Sequence, residues 1–297
     1  MNATESQPLK PAEAAATPRT RPGVEIVYRR PDFGDFDGLP KFWAGGSPAA
    51  SFAVGLFSLV IPEGEKFFIR SVNALRSEVK DPELLEDVKA FAKQEAAHTR
   101  VHMVFNEALR KHGFDPDDAT DTIKRFFETI EKYFTKRMAL AVTVFAEHLT
   151  ALGAEVEFRF PELRQGVEPR ASNFWRWHAA EELEHKAVAF DVFKAAGGGY
   201  FTRVFTVLLF GLMWALMTRP MIRRQIAGFK KVRTAERAVS SKALVTAYPD
   251  LVPRLRRFTI RYLLSFFRPG FHPWQVDSRR YLEAWKLESE NEAVAYG

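Results

Sequence analysis

Cysteine is absent from the 297 residues. That excludes disulfides, zinc ribbons, iron–sulfur clusters and cysteine nucleophiles, and leaves His, Asp and Glu to hold any metal. A chain without disulfides fits a reducing compartment. The opening stretch MNATESQPLKPAEAAATPRTRPG lacks the apolar core of a secretory signal. Its Pro, Ala and Thr content predicts a disordered tail over residues 1–23. Strand signals are missing beyond residue 30, and no internal repeat of solenoid length recurs. The apolar run VFTVLLFGLMWALMT is fifteen residues long, shorter than the roughly 20 that span a bilayer.

What is present points to a helical globule. Hydrophobic residues make up 46% of the chain and charged residues 27%, which supplies ample core material. The 27 Phe imply a core or substrate pocket rich in aromatic rings. Residues 24–46 read as an extended lead-in punctuated by Pro and Gly. Helical patterns follow at about 48–79, 82–112, 118–159 and 169–195, then at 200–227, 234–247, 249–267 and 273–290. Asp81-Pro82 is a helix start. Gly113 is a stop, with Lys111 and His112 in the turn before it. Pro62, inside the first pattern, predicts a break or kink.

Four of these patterns carry an anomaly. In 82–112 an interior seam runs Leu84, Val88, Phe91, Glu95, His98, His102, Phe105, Leu109. In 169–195 it runs Trp175, His178, Glu182, His185, Ala189, Val192. The other two seams carry Glu65 and Glu147 among apolar residues. Such seams face the inside of a bundle. Each helix therefore aims one Glu inward, and two add a His three residues later.

Burying one unpaired carboxylate costs several kcal/mol, against a total stability of about 5–15 kcal/mol. Four are untenable unless cations compensate. A Glu and a His at i and i+3 share one helical face and can reach one ion. One Glu on each of two helices plus Glu-x-x-His on each of two others is the pattern of di-iron and di-manganese carboxylate bundles. The reading is an all-α protein, a ferritin-like four-helix bundle over residues 24–196 with additional C-terminal helices over 197–297 packed on it. Glu95 and His98 are expected on one metal, Glu182 and His185 on the other, and Glu65 and Glu147 as terminal or bridging ligands.

Neighbouring residues keep several readings open. His102 and His178 are additional ligands, proton donors, partners that orient a carboxylate, or hydrogen-bonded core histidines. Glu181, Glu184 and His148 lie one step off the seams, as outer partners or surface groups. Glu155 and Glu157 read as a solvated face, and Trp175 and Trp177 as packing.

The segments PEGEKFF, FAKQEAAHTRVH, AEHLTA and WHAAEELEHKAVAFDVF together resemble the bacterial family of predicted metal-dependent hydrolases, over about residues 25–290. The resemblance implies a ferritin-like di-metal carboxylate protein and, by its label, hydrolysis.

Three functions are compatible with such a site. A pair of irons suits carboxylate and imidazole donors, with manganese or zinc as alternatives. It would oxidise or oxygenate a small hydrophobic substrate with dioxygen, the preferred reading. A two-metal hydrolase is the second, and a non-catalytic metal-binding bundle the third. The net charge of +6 collects after residue 190, as in Arg219, Arg223, Arg224, Lys230 and Lys231, then Arg254, Arg256, Arg257 and Arg261. Residues 200–270 read as a helix pair covering the bundle or as a surface lying on a membrane. No reader motif supports nucleic acid. The expected location is cytoplasmic, with peripheral attachment to the inner membrane as the variant.

Overall fold

Short polar side chains followed by proline set where the helices begin. Ser47 accepts from the Ala50 amide ahead of α1 (Pro48–Asn73). Asp81 does the same for α2 (Pro82–Arg110), Asp115 for α3 (Pro116–Tyr133) and Glu168 for α5 (Pro169–His185). In each the proline occupies the first helical position, where an N–H has no partner anyway. Thr135 caps α4 (Lys136–Arg159). Then come α6 (Val188–Ala195), α7 (Tyr200–Lys231), α8 (Leu251–Ser265) and α9 (Arg279–Tyr296). The computed structural model describes residues 23–240 and 246–296, and side chains as far as residue 289. The protein is all-α: among the described residues there is no strand.

α1 lies along α2 and α3, α4 along α5 and α7, and α5 is flanked by α9. The 118–159 pattern is two helices, because the Thr135 cap restarts the chain after an extended Phe134. The 169–195 pattern breaks at Lys186 and Ala187. Its buried Lys186 donates to the Val276 carbonyl and the Ser278 hydroxyl, both at 2.7 Å, outside the helix line. The first helix ends at Asn73 rather than 79. Residues 234–240 are not helical. The rest of the helix expected there falls partly on residues 241–245, outside the described residues, as does the tail over residues 1–22.

α1 continues through Pro62, and the reason is visible. Pro62 has no N–H for the Ser58 carbonyl one turn earlier. The Asn106 side chain of α2 supplies the missing donor at 3.0 Å. Gly113 adopts φ +88°, and a Cβ there would stand 2.3 Å from the Gly228 carbonyl oxygen. The turn after α2 thus lies backbone against backbone on the end of α7. At the other end of α7, the buried Arg203 donates to the carbonyls of Phe266 and Arg268, closing the end of α8.

Glu155 is not a solvated face. It is fully buried, paired with Arg159 and facing Lys186 and Ser278. Hydrogen bonds from the segment leading into α9, invisible to periodicity, draw it inward. Glu157 is half-buried beside Arg164. His148 is a core histidine whose Nε2 donates to the Tyr262 carbonyl at 3.0 Å. It belongs to the α4–α8 contact and not to the cluster described next.

Candidate metal centre

α1, α2, α4 and α5 bring Glu65, Glu95, His98, Glu147, Glu182 and His185 together in the buried interior, where donor atoms of Glu65, His98, His178 and Glu182 form one close group and those of Glu95, Glu147 and His185 another. Its geometry is nearly symmetric. His98 Nδ1 faces Glu65, Glu95 and Glu182, each at 3.7 Å. His185 Nε2 faces Glu95 at 3.4 Å, Glu147 at 3.6 Å and Glu182 at 3.4 Å. Glu95 and Glu182 therefore stand between the two imidazoles, while Glu65 and Glu147 each serve one side. Glu95 with His98 and Glu182 with His185 stay within 3.7 Å of each other, and each of these carboxylates also faces the other imidazole. Helical spacing shows which residues share a face but not which oxygens point across the bundle.

These distances exceed a hydrogen bond, whose usual N···O length is about 2.9 Å. Both oxygens of Glu95 and of Glu147, one of Glu65, His98 Nδ1 and His185 Nε2 are buried without a hydrogen-bond partner. Each such group costs about 1–3 kcal/mol, more if charged. Two donors held by one ion at about 2.1 Å and roughly 100–120° apart lie about 3.2–3.6 Å from each other. The spacing and the orphaned atoms both fit cations, and the all-oxygen-and-nitrogen donor set suits several divalent metals.

Without cations the electrostatics are strained. Burial pushes Glu65 and Glu95 well above the usual carboxylate range, reinforced by neighbouring carboxylates. Burial pushes Glu147 up to about 8, with His185 opposing. Burial also disfavours the Glu182 anion, but His185 and His178 outweigh it and hold this group well below its usual value. Burial would lower His185, yet Glu182 and Glu147 raise it to about 8. His98 is held well below its usual value by burial and the imidazoles around it.

An outer layer fixes the ring orientations. His185 Nδ1 donates to Gln94 Oε1 at 2.9 Å. The Gln94 amide is itself tied to the Val27 carbonyl and to Glu184, both at 2.9 Å. His98 Nε2 donates to Glu181 at 3.1 Å. Each histidine thus turns its other nitrogen toward the cluster, the orientation imidazoles take toward a metal when a second partner holds the outer N–H. Arg29, from the lead-in, binds Glu184 through both amino groups and reaches Glu181 at 3.2 Å. Trp177 donates to Glu181 at 2.9 Å, so it is more than packing. Thr99 donates to Glu65 at 2.8 Å, and Thr150 donates to Glu182. Periodicity missed Gln94, Arg29 and both threonines. Thr99 and Thr150 lie one turn after Glu95 and Glu147, the one signal that could have found them.

His102 and His178 form a polarised chain beside the cluster. Asn106 donates to the Ser58 carbonyl, which fixes its amide, and its oxygen accepts the Ser58 hydroxyl at 2.6 Å. Ser58 Oγ accordingly accepts from His102 Nδ1 at 2.8 Å. His102 Nε2 then accepts from His178 Nδ1 at 2.9 Å. His178 Nε2 is left facing Glu182 at 3.0 Å. Two cavities meet this side of the cluster. One of about 450 Å³ is walled by apolar side chains of α1, α3, α4 and α7 and reaches Gly64 and Thr150. The other, of about 340 Å³, reaches Thr150 and His178. Phe57 lines both.

A family model described as predicted metal-dependent hydrolase matches residues 27–277. The chain belongs to that family. The matched span contains all four helices of the cluster and the Val27 and Arg29 contacts behind it. No curated protein and no solved structure matches the chain.

Proposed function

We propose that the cluster holds two divalent cations and that the protein hydrolyses an ester with an apolar acyl group. The observation that carries this is the set of buried, partnerless oxygens and nitrogens pointing at one another, in a chain of a metal-dependent hydrolase family. Glu65 and His98 would hold one ion, Glu147 and His185 the other, with Glu95 and Glu182 shared. Bound there, the pair would lower the pKa of a water molecule and polarise the scissile carbonyl. The chain's own part is positioning and proton handling. Gln94 and Glu181 keep His185 and His98 in the tautomers that present a lone pair inward. His178 stands on a cavity wall with Nε2 3.0 Å from Glu182, and once cations engage that carboxylate Nε2 would accept a proton from water and return it to the departing alcohol oxygen. His102, Ser58 and Asn106 hold the proton on Nδ1 so that Nε2 is the atom that exchanges. The apolar cavity receives the acyl group and excludes bulk water.

The test is metal content of the purified protein, followed by hydrolysis of nitrophenyl esters of increasing chain length. Hydrolysis that stops on chelation and returns with metal supports the proposal. A metal-free protein, or hydrolysis indifferent to chelation, defeats it. His178→Gln should keep the metal and lose turnover. Loss of metal in that variant would make His178 a ligand instead, as its position beside Glu65, His98 and Glu182 also permits.

A second reading is favoured by one observation. The larger cavity offers no charged group to hold a polar leaving group, and four carboxylates with imidazoles suit iron. Iron loading with substrate-dependent consumption of dioxygen would replace hydrolysis by oxidation of a hydrocarbon.

A further inference from the structure

α7 presents five large apolar side chains to solvent. Phe201, Phe205, Leu208, Leu212 and Leu216 are 83, 63, 64, 59 and 68% exposed. Their spacing of four, three, four and four residues puts them on one stripe. The opposite side of the helix, with Val207, Phe210 and Met221, is buried toward α3 and α4. Both α4 and α7 are long and apolar enough to cross a membrane, but α4 is mostly buried and α7 mostly is not. The fifteen uncharged residues of α7 rise about 22 Å, short of a roughly 30 Å hydrocarbon core. Length and composition alone would let α7 cross a bilayer, but with one side committed to α3 and α4 the geometry favours lying in an interface.

α8 adds exposed Val252, Ile260 and Leu264. Tyr200 donates to the Phe267 carbonyl at 3.1 Å and Arg203 to those of Phe266 and Arg268. The start of α7 therefore abuts the end of α8. Residues 192–235 and 251–276 contain no Asp or Glu. Exposed Arg219, Arg223, Arg256, Arg257, Arg261 and Arg268 border the apolar side chains. A second copy placed on this surface would set arginine against arginine with no acid to answer it. Anionic lipid headgroups answer the arginines, and acyl chains answer the apolar stripe.

The larger cavity opens here. Exposed Ala53, Phe57 and Gly211 line its mouth, and Gly211 lies on the flank of α7 between the stripe and the buried side. Its inner end is Gly64, next to Glu65, and Thr150, which donates to Glu182. A chain entering beside α7 would end at Gly64 and Thr150, one side chain short of the carboxylate–histidine cluster. We infer that α7 and α8 dock the protein on an anionic lipid bilayer and that the cavity beside α7 takes up the acyl chain of a lipid from it. The inference deepens the proposed function, on which it rests for the place of the cluster at the end of the cavity.

The full chain is sedimented with vesicles of phosphatidylcholine, or of equimolar phosphatidylcholine and phosphatidylglycerol. It should pellet with the mixed vesicles and at least about tenfold less with the neutral ones. The Leu208→Asp/Leu212→Asp variant, checked for unchanged circular dichroism, should stay in the supernatant. A wild-type protein that pellets with neither vesicle overturns the docking, and so does a variant that pellets like wild type. Dimerisation abolished by the same variant, with no vesicle binding, assigns the face to self-association instead. For the cavity, a brominated long-chain fatty acid is added without vesicles. Tryptophan emission should fall through Trp214, which lines the cavity, and the fall should be lost in Trp214→Phe. No fall, or an equal fall in that variant, overturns uptake at this cavity. Neither readout involves turnover or metal, so hydrolysis can fail while docking stands, and the reverse.

Discussion

The bundle interior and the outer face of α7 depart from ordinary burial in opposite senses. Inside α1, α2, α4 and α5, four carboxylates and four imidazoles of the cluster and its chain are almost fully excluded from water. On α7, five large apolar side chains stand in it. The first departure is expensive per group and is built with care: every ring of the cluster has an outer partner, and those partners reach back to Arg29. The second is built by omission, through a lack of acids over two long stretches. Under the readings proposed above, something outside the chain would compensate each departure, cations in one case and lipid in the other.

The largest effect should come from the shared carboxylates. Glu95→Ala should abolish binding of both ions, whereas Glu147→Ala, which faces only His185, should spare part of the metal measured by elemental analysis. Equal loss in the two variants would break the distinction between shared and one-sided ligands.

Next in size is the pH dependence of the metal-free protein. Glu147 and His185 both sit at about 8 in the folded chain, above their unfolded values. Between pH 6.5 and 8 the folded state therefore holds more protons than the unfolded state, and stability falls as pH rises. Each group contributes up to about 1.4 kcal/mol per pH unit. Saturating metal should flatten that slope in urea titrations, because bound carboxylates and imidazole no longer carry protons. A slope unchanged by metal would place the ions elsewhere.

Asn106→Ala leaves the Ser58 carbonyl opposite Pro62 without a donor. It should cost about 1–3 kcal/mol in urea unfolding, with metal content retained. The smallest effect concerns the outer face. Arg256→Ala should weaken association with anionic vesicles by about 1 kcal/mol and leave unfolding unchanged, sharpening the contrast between a costly interior and a tolerant surface.

The inward-pointing Glu and His were legible because a seam with charges at apolar positions is a local signal, repeated on four helices. The helix boundaries were less so. Pro62 reads as a break until Asn106, far along the chain, supplies the donor that proline lacks. The Thr135 cap was present in the sequence, between Phe134 and Lys136, but no proline or glycine marks the break there. The outer layer was illegible for a different reason. Gln94 is one step off its seam, and Arg29 comes from an extended segment, with its carboxylate partners Glu181 and Glu184 more than 150 residues away. Glu155 looked exposed because its partner Lys186 sits at a helix break that periodicity does not reveal.

The position of Glu95 and Glu182 between the two imidazoles has a consequence for how the protein would meet its metal. If two ions bind as proposed, the first would neutralise and orient both shared carboxylates, and so complete most of the second half-site before it is filled. The second ion would then bind with less rearrangement than the first. Loading would be steep in metal concentration, with few molecules caught holding one ion, and the cell's free metal level would decide between an empty chain and a complete one.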